Sequence, residues 1–351
     1  MVGTPKKFPM VSVVMTCYNH EDFLVEALNS LRDQKEVRPQ IILVDDFSQD
    51  SSAEIAHKWI AEHPDVDISF IPHATNQGFV SSLNEALRIA QGKYICTFSA
   101  DDKMATHRLK VQAEFLETAP NSVGAVYSDM KIMDRDGTIT GKWGWGLPFR
   151  ITSTNHDVTN ELLRYNCFPS PSAMFRRKVF EALDYYDPQL DYEDYDFWLR
   201  MSDTFSILYL PGPVSFYRVL PESMSKSEDY LERLLSSLVM LLAKRIGHSE
   251  AATRVIRQRM LEICVESTIR GYRQTAISAL ERAESIRVDS RSRLTRWIMR
   301  RTRWPTLTKL GFFAWQKARD GFHLIRLTAQ KGSAMGFHKS SDASRGAGRI
   351  T

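Results

Sequence analysis

A chain of 351 residues has room for one large domain with an appendage, or for two modest domains. Its apolar fraction of 43% and charged fraction of 25% are those of an ordinary soluble globular protein. The four cysteines stand far apart without C-x-x-C spacing, which argues against a zinc knuckle and against a disulfide framework.

The net charge of +4 conceals a reversal along the chain. Residues 1–225 carry 21 Lys and Arg against 31 Asp and Glu, a net charge of −10, whereas residues 226–351 carry 25 against 11, a net charge of +14. A reversal of this size predicts a domain boundary near residue 226. We therefore expect one domain over 1–225, a basic helical region over 226–331, and a Gly- and Ser-rich, disordered tail over 332–351.

The sequence also bears on the compartment. No apolar run approaches the roughly 18 residues of a membrane-spanning helix, and residues 1–9 lack the apolar core of a signal peptide. Cys17 and Cys96 lie in apolar runs and are predicted to be buried thiols, as expected in a reducing cytoplasm. We expect a cytoplasmic protein unless another feature docks it on a membrane.

The first hundred residues alternate between short apolar runs and amphipathic segments. Four runs, at 11–15, 41–44, 68–71 and 94–98, have the length and composition of buried strands. A strand–helix–strand series of this kind predicts an α/β fold with a mainly parallel sheet. The helices between the strands are predicted, from apolar residues at helical spacing, over 23–31, 55–60 and 83–90.

Residues beyond 100 show a more mixed pattern. From residue 230 onward the pattern is helical, and Arg mixes with Trp and Phe over 291–331. Between residues 100 and 230 the sequence predicts first a helix ending near 120, a hairpin with a strand at 123–133 and a turn at 134–137, and a loop at 141–148. It then predicts a short helix at 158–164, a strand entered over 168–175, a helix at 192–201, and two closing strands at 205–210 and 214–219.

Three acidic clusters are candidates for chemistry. The first two end strands of the predicted parallel sheet and so share its carboxyl edge, where open α/β sheets bind ligands. Carboxylates there can accept hydrogen bonds from a ribose or a base, or hold a divalent cation that binds a diphosphate, and the third cluster can supply a base. Each cluster also has a purely structural alternative that stays open: a turn with an Asx hydrogen bond for the first, a solvated acidic loop for the second and a helix cap for the third. The clusters are Asp45-Asp46, Asp101-Asp102, and Glu193-Asp194 with Asp196.

Several motifs in this order resemble those of family 2 glycosyltransferases of the GT-A fold, the kind that builds bacterial surface polysaccharides. The resemblance covers roughly residues 9–225 and is specific for the family but not for the sugar. The matching segments are 11–19, the opening strand with its Y-N end; 44–50, V-D-D-x-S-x-D; 76–78 with Asn84, the N-x-G segment; 99–102, the D-x-D-D motif; and 193–200, E-D-x-D-x-x-x-R.

The resemblance implies roles for individual acids. Asp101 would touch the ribose or the metal, and Asp102 would be the main ligand of a divalent cation, Mn²⁺ or Mg²⁺. Asp194 would be the catalytic base, and Glu193 would contact the acceptor or position the helix. The implied nucleoside pocket is lined by Thr16, Tyr18, Asp45 and Asp46.

Two positions depart from the family's pattern. Ser99 stands where many members have the first Asp of the metal motif, so the inference of metal binding is weakened but not excluded. Leu220 stands at the position of a His that often follows the last strand, so no such His can help the metal or the diphosphate. Arg218 stays open either as a phosphate partner or as a surface charge.

The implied reaction is a single inverting displacement. The donor would be a nucleotide-sugar, with UDP as the expected nucleotide, and the acceptor a glycan or a polyprenyl-diphosphate-linked sugar, bordered by 141–148 and 168–172. Three interpretations of the basic, aromatic helices after residue 290 stay open: a helical cap, docking on the anionic inner face of the plasma membrane, and nucleic-acid binding. Nucleic acid is the least favoured, because no recognised nucleic-acid module is visible.

Two rival functions remain. A sugar nucleotidyltransferase should have a Gly-rich loop with a basic residue after the first strand, whereas residues 16–20 contain neither Gly nor Lys. An inactive glycan-binding or scaffold protein would explain Ser99 as a sign of decay, but the intact acids at 101–102 and 193–194 argue against it.

Overall fold

The computed structural model describes residues 10–143, 158–221 and 227–301. The expectations for residues 1–9, for most of the loop at 141–148, and for the chain beyond 301, including the tail, lie outside the described residues.

The amino-terminal half forms the predicted strand–helix alternation, and its strands pair in parallel in the order β3-β2-β1-β4. The expectation of a mainly parallel sheet is confirmed here. Because both faces of β1, β2 and β4 are covered, these three strands read as mostly apolar runs, whereas the edge strand β3 is half-exposed. The elements are β1 Val11–Cys17, α1 Leu24–Arg32, β2 Gln40–Asp45, α2 Ser52–Glu62, β3 Ile68–Pro72, α3 Phe79–Ile89 and β4 Tyr94–Ser99.

The sheet continues from β4 through β8, β6 and β9 to β5, and β7 pairs with β6. Strand β8 is antiparallel to both of its neighbours, whereas β6 and β9 are parallel, so the sheet is mixed. The elements are β5 Lys103–Met104, α4 Arg108–Thr118, β6 Val123–Met133, β7 Ile139–Lys142, α5 Thr159–Leu162, a 3-10 turn Ser170–Ser172, β8 Met174–Arg176, α6 Arg177–Ala182, α7 Glu193–Ser202 and β9 Ser206–Arg218.

The prediction of two closing strands is wrong, because β9 is one strand of 13 residues. It keeps its pairing with β6 across the segment Pro211-Gly212-Pro213, with shifts of register opposite Asp129. The carboxylate of Asp129 accepts hydrogen bonds from the Gly212 N–H at 3.1 Å and from the Tyr209 hydroxyl at 2.8 Å. These bonds satisfy the backbone where the ladder is irregular, so the strand continues.

In the described part of the chain, up to residue 301, four helices follow the sheet: α8 Glu228–Ala243, α9 Glu250–Arg270, α10 Arg273–Ile286 and α11 Ser290–Arg301. The apolar stripe of α8, including Leu235 and Leu238, belongs to the same buried cluster as Phe197 and Trp198 of α7. The domain boundary near residue 226 stays a prediction, because residues 222–226 are outside the described part. Among the described helices, none has the length and hydropathy needed to cross a bilayer.

Charge complementarity joins α8 to the loops around α7. Lys244 contacts Asp187 at 2.7 Å and Asp196 at 3.2 Å, and Arg245 pairs with Asp203. Asp196 is buried, so its ion pair is screened less than a surface pair. The acidic and basic halves of the sequence therefore meet in part across this contact.

Candidate active site

The carboxyl ends of β1, β2 and β4 lie side by side. Cys17 pairs with Asp45 and Thr16 pairs with Ser99 in the strand registers. Tyr18, which follows β1, is 46% exposed. The structure thus brings the first two acidic clusters and the predicted nucleoside residues to one edge of the sheet, as the sequence predicted.

Asp45 forms a turn with the residues that follow it. Its carboxylate accepts hydrogen bonds from the Ser48 backbone N–H at 2.9 Å and the Ser48 hydroxyl at 2.5 Å. The Ser48 oxygen accepts in turn from the backbone N–H of Asn19, a residue in the left-handed conformation at φ 57°. The structural alternative for Asp45, a turn with an Asx hydrogen bond, is therefore present, with the bond reaching three residues along the chain. Nucleoside contact by Asp45 stays a prediction.

Asp46 anchors the start of α3. Its two carboxylate oxygens accept from the backbone N–H groups of Gln77 at 2.8 Å and Gly78 at 2.9 Å, and one of them also contacts His73 Nδ1 at 2.9 Å. Burial opposes ionisation, but the hydrogen bonds from His73 and from the backbone lower the pKa of Asp46 on balance. Its implied nucleoside contact stays a prediction, because these bonds already occupy both carboxylate oxygens.

His73 is a residue that the sequence analysis missed. Its Nε2 lies 2.9 Å from Glu85 Oε2, so the imidazole bridges Asp46 and Glu85 with a side chain that is 4% exposed. Burial disfavours the charged imidazole, yet these two carboxylates raise the pKa of His73 on balance. Its place directly after the third strand was the one available signal.

Asp102 has the features of a cation ligand. It is 2% exposed, its Oδ1 accepts from the Arg218 backbone N–H at 2.8 Å, and its Oδ2 has no hydrogen-bond partner among the described residues. Burial, and next the charge of Asp101, raise the pKa of Asp102 well above its usual range. A buried carboxylate oxygen without a donor fits a divalent cation, which prefers oxygen ligands.

The rest of the metal motif is less complete. The Ser99 hydroxyl donates to Asp101, and Asp101 Oδ2 lies 3.9 Å from Nε2 of His20, another residue that the sequence analysis did not select. In the described ranges, no group of three or more His, Cys, Asp or Glu side chains is arranged to hold a metal ion. A cation at Asp102 would therefore take its further ligands from oxygen atoms of the bound substrate and from water.

Arg218 is not a surface charge, because it is 2% exposed. Its guanidinium donates to the carbonyl oxygens of Asp101 at 2.8 Å, Asp134 at 3.1 Å and Arg135 at 2.5 Å. It also pairs with Glu26 and lies over the ring of Phe23. These contacts tie the end of β4 to the β6–β7 turn, and a phosphate would have to replace one of them. Phosphate binding by Arg218 stays a prediction.

Glu193 and Asp194 begin α7 and are half-buried. Asp194 Oδ2 accepts from the Ser170 hydroxyl at 2.9 Å, and the Asn166 amide lies 3.4 Å from both carboxylate oxygens. Burial raises the pKa of Asp194, and burial together with the Asp194 charge raises the pKa of Glu193 well above its usual range. A carboxylate with a raised pKa is a stronger proton acceptor than an exposed one.

The helix-cap alternative is supported in part at this terminus. Tyr192 occupies the N-cap position and makes no side-chain capping hydrogen bond, but backbone N–H groups of the first turn of α7 bond to the carboxylates of Glu193 and Asp194. The Asp194 carboxylate also has side-chain contacts from outside α7, at residues 166 and 170. Its role as a base stays a prediction.

A buried arginine connects the Asp194 region to the sheet edge. Arg108 donates to the Pro171 carbonyl and to the Ser215 hydroxyl, both at 2.7 Å, and it lies within electrostatic range of Asp102. Pro171 follows Ser170 in the 3-10 turn, which packs against β4, β6 and β9. No sequence pattern singled out Arg108, because its partners are 63 and 107 residues away.

Comparisons with known proteins identify the family of this chain. Residues 12–184 match the family model described as Glycosyl transferase family 2. The uncharacterized glycosyltransferase MJ1057 of Methanocaldococcus jannaschii is 31% identical over 201 residues, which cover 57% of this chain and 67% of that protein. An Escherichia coli protein named UDP-Glc:alpha-D-GlcNAc-diphosphoundecaprenol beta-1,3-glucosyltransferase WfaP is 28% identical over 193 residues, 55% of this chain and 70% of its own.

A solved structure resembles the fold. The mannosyltransferase PcManGT from Pyrobaculum calidifontis, in complex with GDP-Man and Mn²⁺, superposes with a TM-score of 0.57. The match covers 90% of this chain and 87% of that chain at 19% sequence identity. At this identity the likeness establishes the fold alone, which is GT-A.

Proposed function

Because this chain belongs to glycosyltransferase family 2 and has the GT-A fold, we propose that it transfers a sugar from a UDP-sugar to a hydroxyl group with inversion at the anomeric carbon. The proposed acceptor is a glycan or a polyprenyl-diphosphate-linked sugar, used in the synthesis of a cell-surface polysaccharide. The name of the similar E. coli glucosyltransferase, with a UDP-sugar donor and a lipid-diphosphate acceptor, supports both choices.

One observation carries the proposal: a buried acid and a half-buried acid with different surroundings are joined through one scaffold. Just after β4, Asp102 presents an oxygen to which no residue of the described ranges donates, and Asp194 presents a carboxylate of raised pKa at the start of α7. Arg108 links the turn that contacts Asp194 to the strands beside Asp102. A nucleotide-linked sugar bound between them would meet a cation-binding acid at one end of the site and a catalytic base at the other.

The chemistry follows from these positions. Asp194 accepts the proton of the acceptor hydroxyl, and the oxygen attacks the anomeric carbon from the face opposite the nucleotide. Asp102, with Asp101, would hold the divalent cation, which supplies charge neutralisation for the departing diphosphate. Thr16 and Tyr18, at the end of β1, are proposed to line the nucleoside side of the cleft. Glu193 is proposed to contact the acceptor.

The test combines binding with turnover. We expect calorimetry to show UDP binding that strengthens with Mn²⁺, and a screen of UDP-, GDP- and dTDP-sugars to show hydrolysis of a UDP-sugar. Asp194→Asn should lower turnover by about 10²–10⁴-fold while leaving UDP affinity unchanged. Asp203→Asn, a matched change beyond the other end of α7, is the control. Loss of UDP binding in step with turnover would show that Asp194 is not the base, and a scaffold protein need bind neither ligand.

We also propose that the basic carboxy-terminal region docks on an anionic membrane, which would bring the site to a lipid-linked acceptor. On α11, Leu294 and Trp297 are 48% and 51% exposed, whereas Ser292 and Thr295 are buried. Leu294 and Trp297 are therefore partly exposed beside exposed arginines, including Arg293. Such a face suits the headgroup region of an anionic bilayer.

Vesicle sedimentation tests the docking proposal on the full chain. The double variant Leu294→Ser, Trp297→Ser should lose binding to anionic vesicles, whereas Met240→Ser, which removes an exposed apolar side chain from α8, should not. Equal binding of the double variant and the unmodified protein, or equal binding to zwitterionic vesicles, would refute this docking surface.

A further inference from the structure

The hydroxyl group of Ser170 lies between Trp198 and Asp194. The indole Nε1 of Trp198 donates to Ser170 Oγ at 3.0 Å, and Ser170 Oγ donates to Asp194 Oδ2 at 2.9 Å. An indole N–H is a donor with no acceptor function, so it occupies a lone pair of Ser170 and leaves the O–H directed at the carboxylate. Trp198 and Asp194 are four residues apart on α7 and so share one helix face.

The surroundings hold this hydroxyl in place. Ser170 begins a 3-10 turn with proline on both sides, and the Pro171 carbonyl is fixed by Arg108 at 2.7 Å. Trp198 is fully buried, with its ring 4.9 Å from the ring of Phe175. The donor, the hydroxyl and the acceptor therefore all sit on supported parts of the fold, as precise positioning of a reacting group requires.

The contacts of Asp194 are unequal. Among the side-chain contacts, the Ser170 bond to Oδ2 is 2.9 Å, whereas Asn166 lies 3.4 Å from each oxygen, so Oδ1 receives the weaker side-chain contact. We propose that Ser170, held by Trp198, is a positioning residue that fixes the carboxylate of Asp194 so that Oδ1 meets the acceptor hydroxyl. This inference rests on the proposed role of Asp194 as the base.

The same hydrogen bond favours the ionised base. Burial raises the pKa of Asp194, and the bonds from Ser170 and then Asn166 counteract that effect. Loss of the hydroxyl should therefore raise the pKa further and shift the acidic limb of activity to higher pH. The titratable groups that face the carboxylate are Glu193 on its own helix, Tyr186, Tyr192 and Tyr195 near α7, and Tyr230 from α8.

The experiment compares Ser170→Ala, Ser170→Thr and Ser202→Ala in the full-length enzyme. Ser202→Ala is the matched control, because Ser202 lies at the other end of α7 and donates to the Leu199 carbonyl. For Ser170→Ala we expect the acidic limb of the pH profile of kcat to shift to higher pH by about one pH unit. At a fixed pH on that limb, kcat should fall about tenfold. The donor KM should stay within about twofold, and Ser170→Thr should restore most of the kcat.

A second readout does not need turnover. The pKa of Asp194, followed by the ¹³Cγ shift of labelled aspartate and assigned with Asp194→Asn, should also rise in Ser170→Ala. An unmoved pKa, or equal impairment of the Ala and Thr variants with an unmoved pH limb, would overturn the positioning role. If the pKa rises in an enzyme that transfers no sugar, the contact stands and the proposed function fails.

Discussion

Replacing Arg218 by Met tests whether a buried arginine at the site serves the fold or the donor. The change keeps most of the side-chain volume but removes donors to three carbonyl oxygens, at 2.5 to 3.1 Å, and the ion pair with Glu26. Each of these part-buried, charge-assisted hydrogen bonds contributes about 1–1.5 kcal/mol. The Glu26 pair adds at most about 1 kcal/mol, because that carboxylate is 41% exposed. We expect the free energy of unfolding to fall by about 3–5 kcal/mol.

Urea unfolding followed by tryptophan fluorescence measures this loss of stability. UDP titration of the folded variant measures whether Arg218 contributes to donor binding. The backbone N–H of residue 218 still holds Asp102, so UDP affinity should stay within about threefold, or about 0.6 kcal/mol. Lys103→Met is the control, because Lys103 contacts the same Glu26 carboxylate at 2.9 Å from an exposed position and should cost less than about 1 kcal/mol. An unchanged unfolding midpoint with a large loss of UDP affinity would refute the structural role and support contact with the diphosphate.

Three further predictions concern the metal site, a buried imidazole and the sheet. Asp102→Asn retains an oxygen acceptor and should shift unfolding by less than about 1 kcal/mol, but calorimetry should no longer show Mn²⁺ strengthening UDP binding. The raised pKa of His73 means that its bond to Asp46 stabilises the fold below about pH 6.5 and is lost as pH rises through the folded pKa. Thermal melts should therefore fall more steeply above pH 6.5 in the unmodified protein than in His73→Gln, and parallel curves would contradict this. Gly92→Ala would place a Cβ 2.4 Å from the Ser12 backbone nitrogen, so it should cost about 1–3 kcal/mol in urea unfolding without changing UDP affinity.

Local sequence patterns were enough to predict the first half of the fold. The strands β1 to β4 are short apolar runs bounded by helical segments, and a βαβ series leaves few arrangements other than a parallel sheet. The same reasoning failed at β9, where two strands were predicted, at 205–210 and 214–219. Its continuity comes from parallel pairing with β6 and from the carboxylate of Asp129, 83 residues away from Gly212.

For the candidate site, too, the sequence predicted some features and not others. The acids at 45–46, 101–102 and 193–194 could be selected because each stands at the end of an apolar run or the start of a helix. Their individual surroundings could not be predicted. His73 against Asp46, and the backbone of Arg218 against Asp102, are contacts between residues 27 and 116 positions apart.

By itself the sequence determined the family, the α/β class and the acids that could act, because these depend on residue type and short-range spacing. The tertiary structure decided which of those acids are already occupied by other groups. Asp46 is bound to a loop, Asp102 retains an oxygen that accepts from none of the residues the structure describes, and Asp194 is held by Ser170. The physical reason is that burial and hydrogen bonding set the charge and the reach of a carboxylate, and both depend on chain segments that meet only when the protein folds.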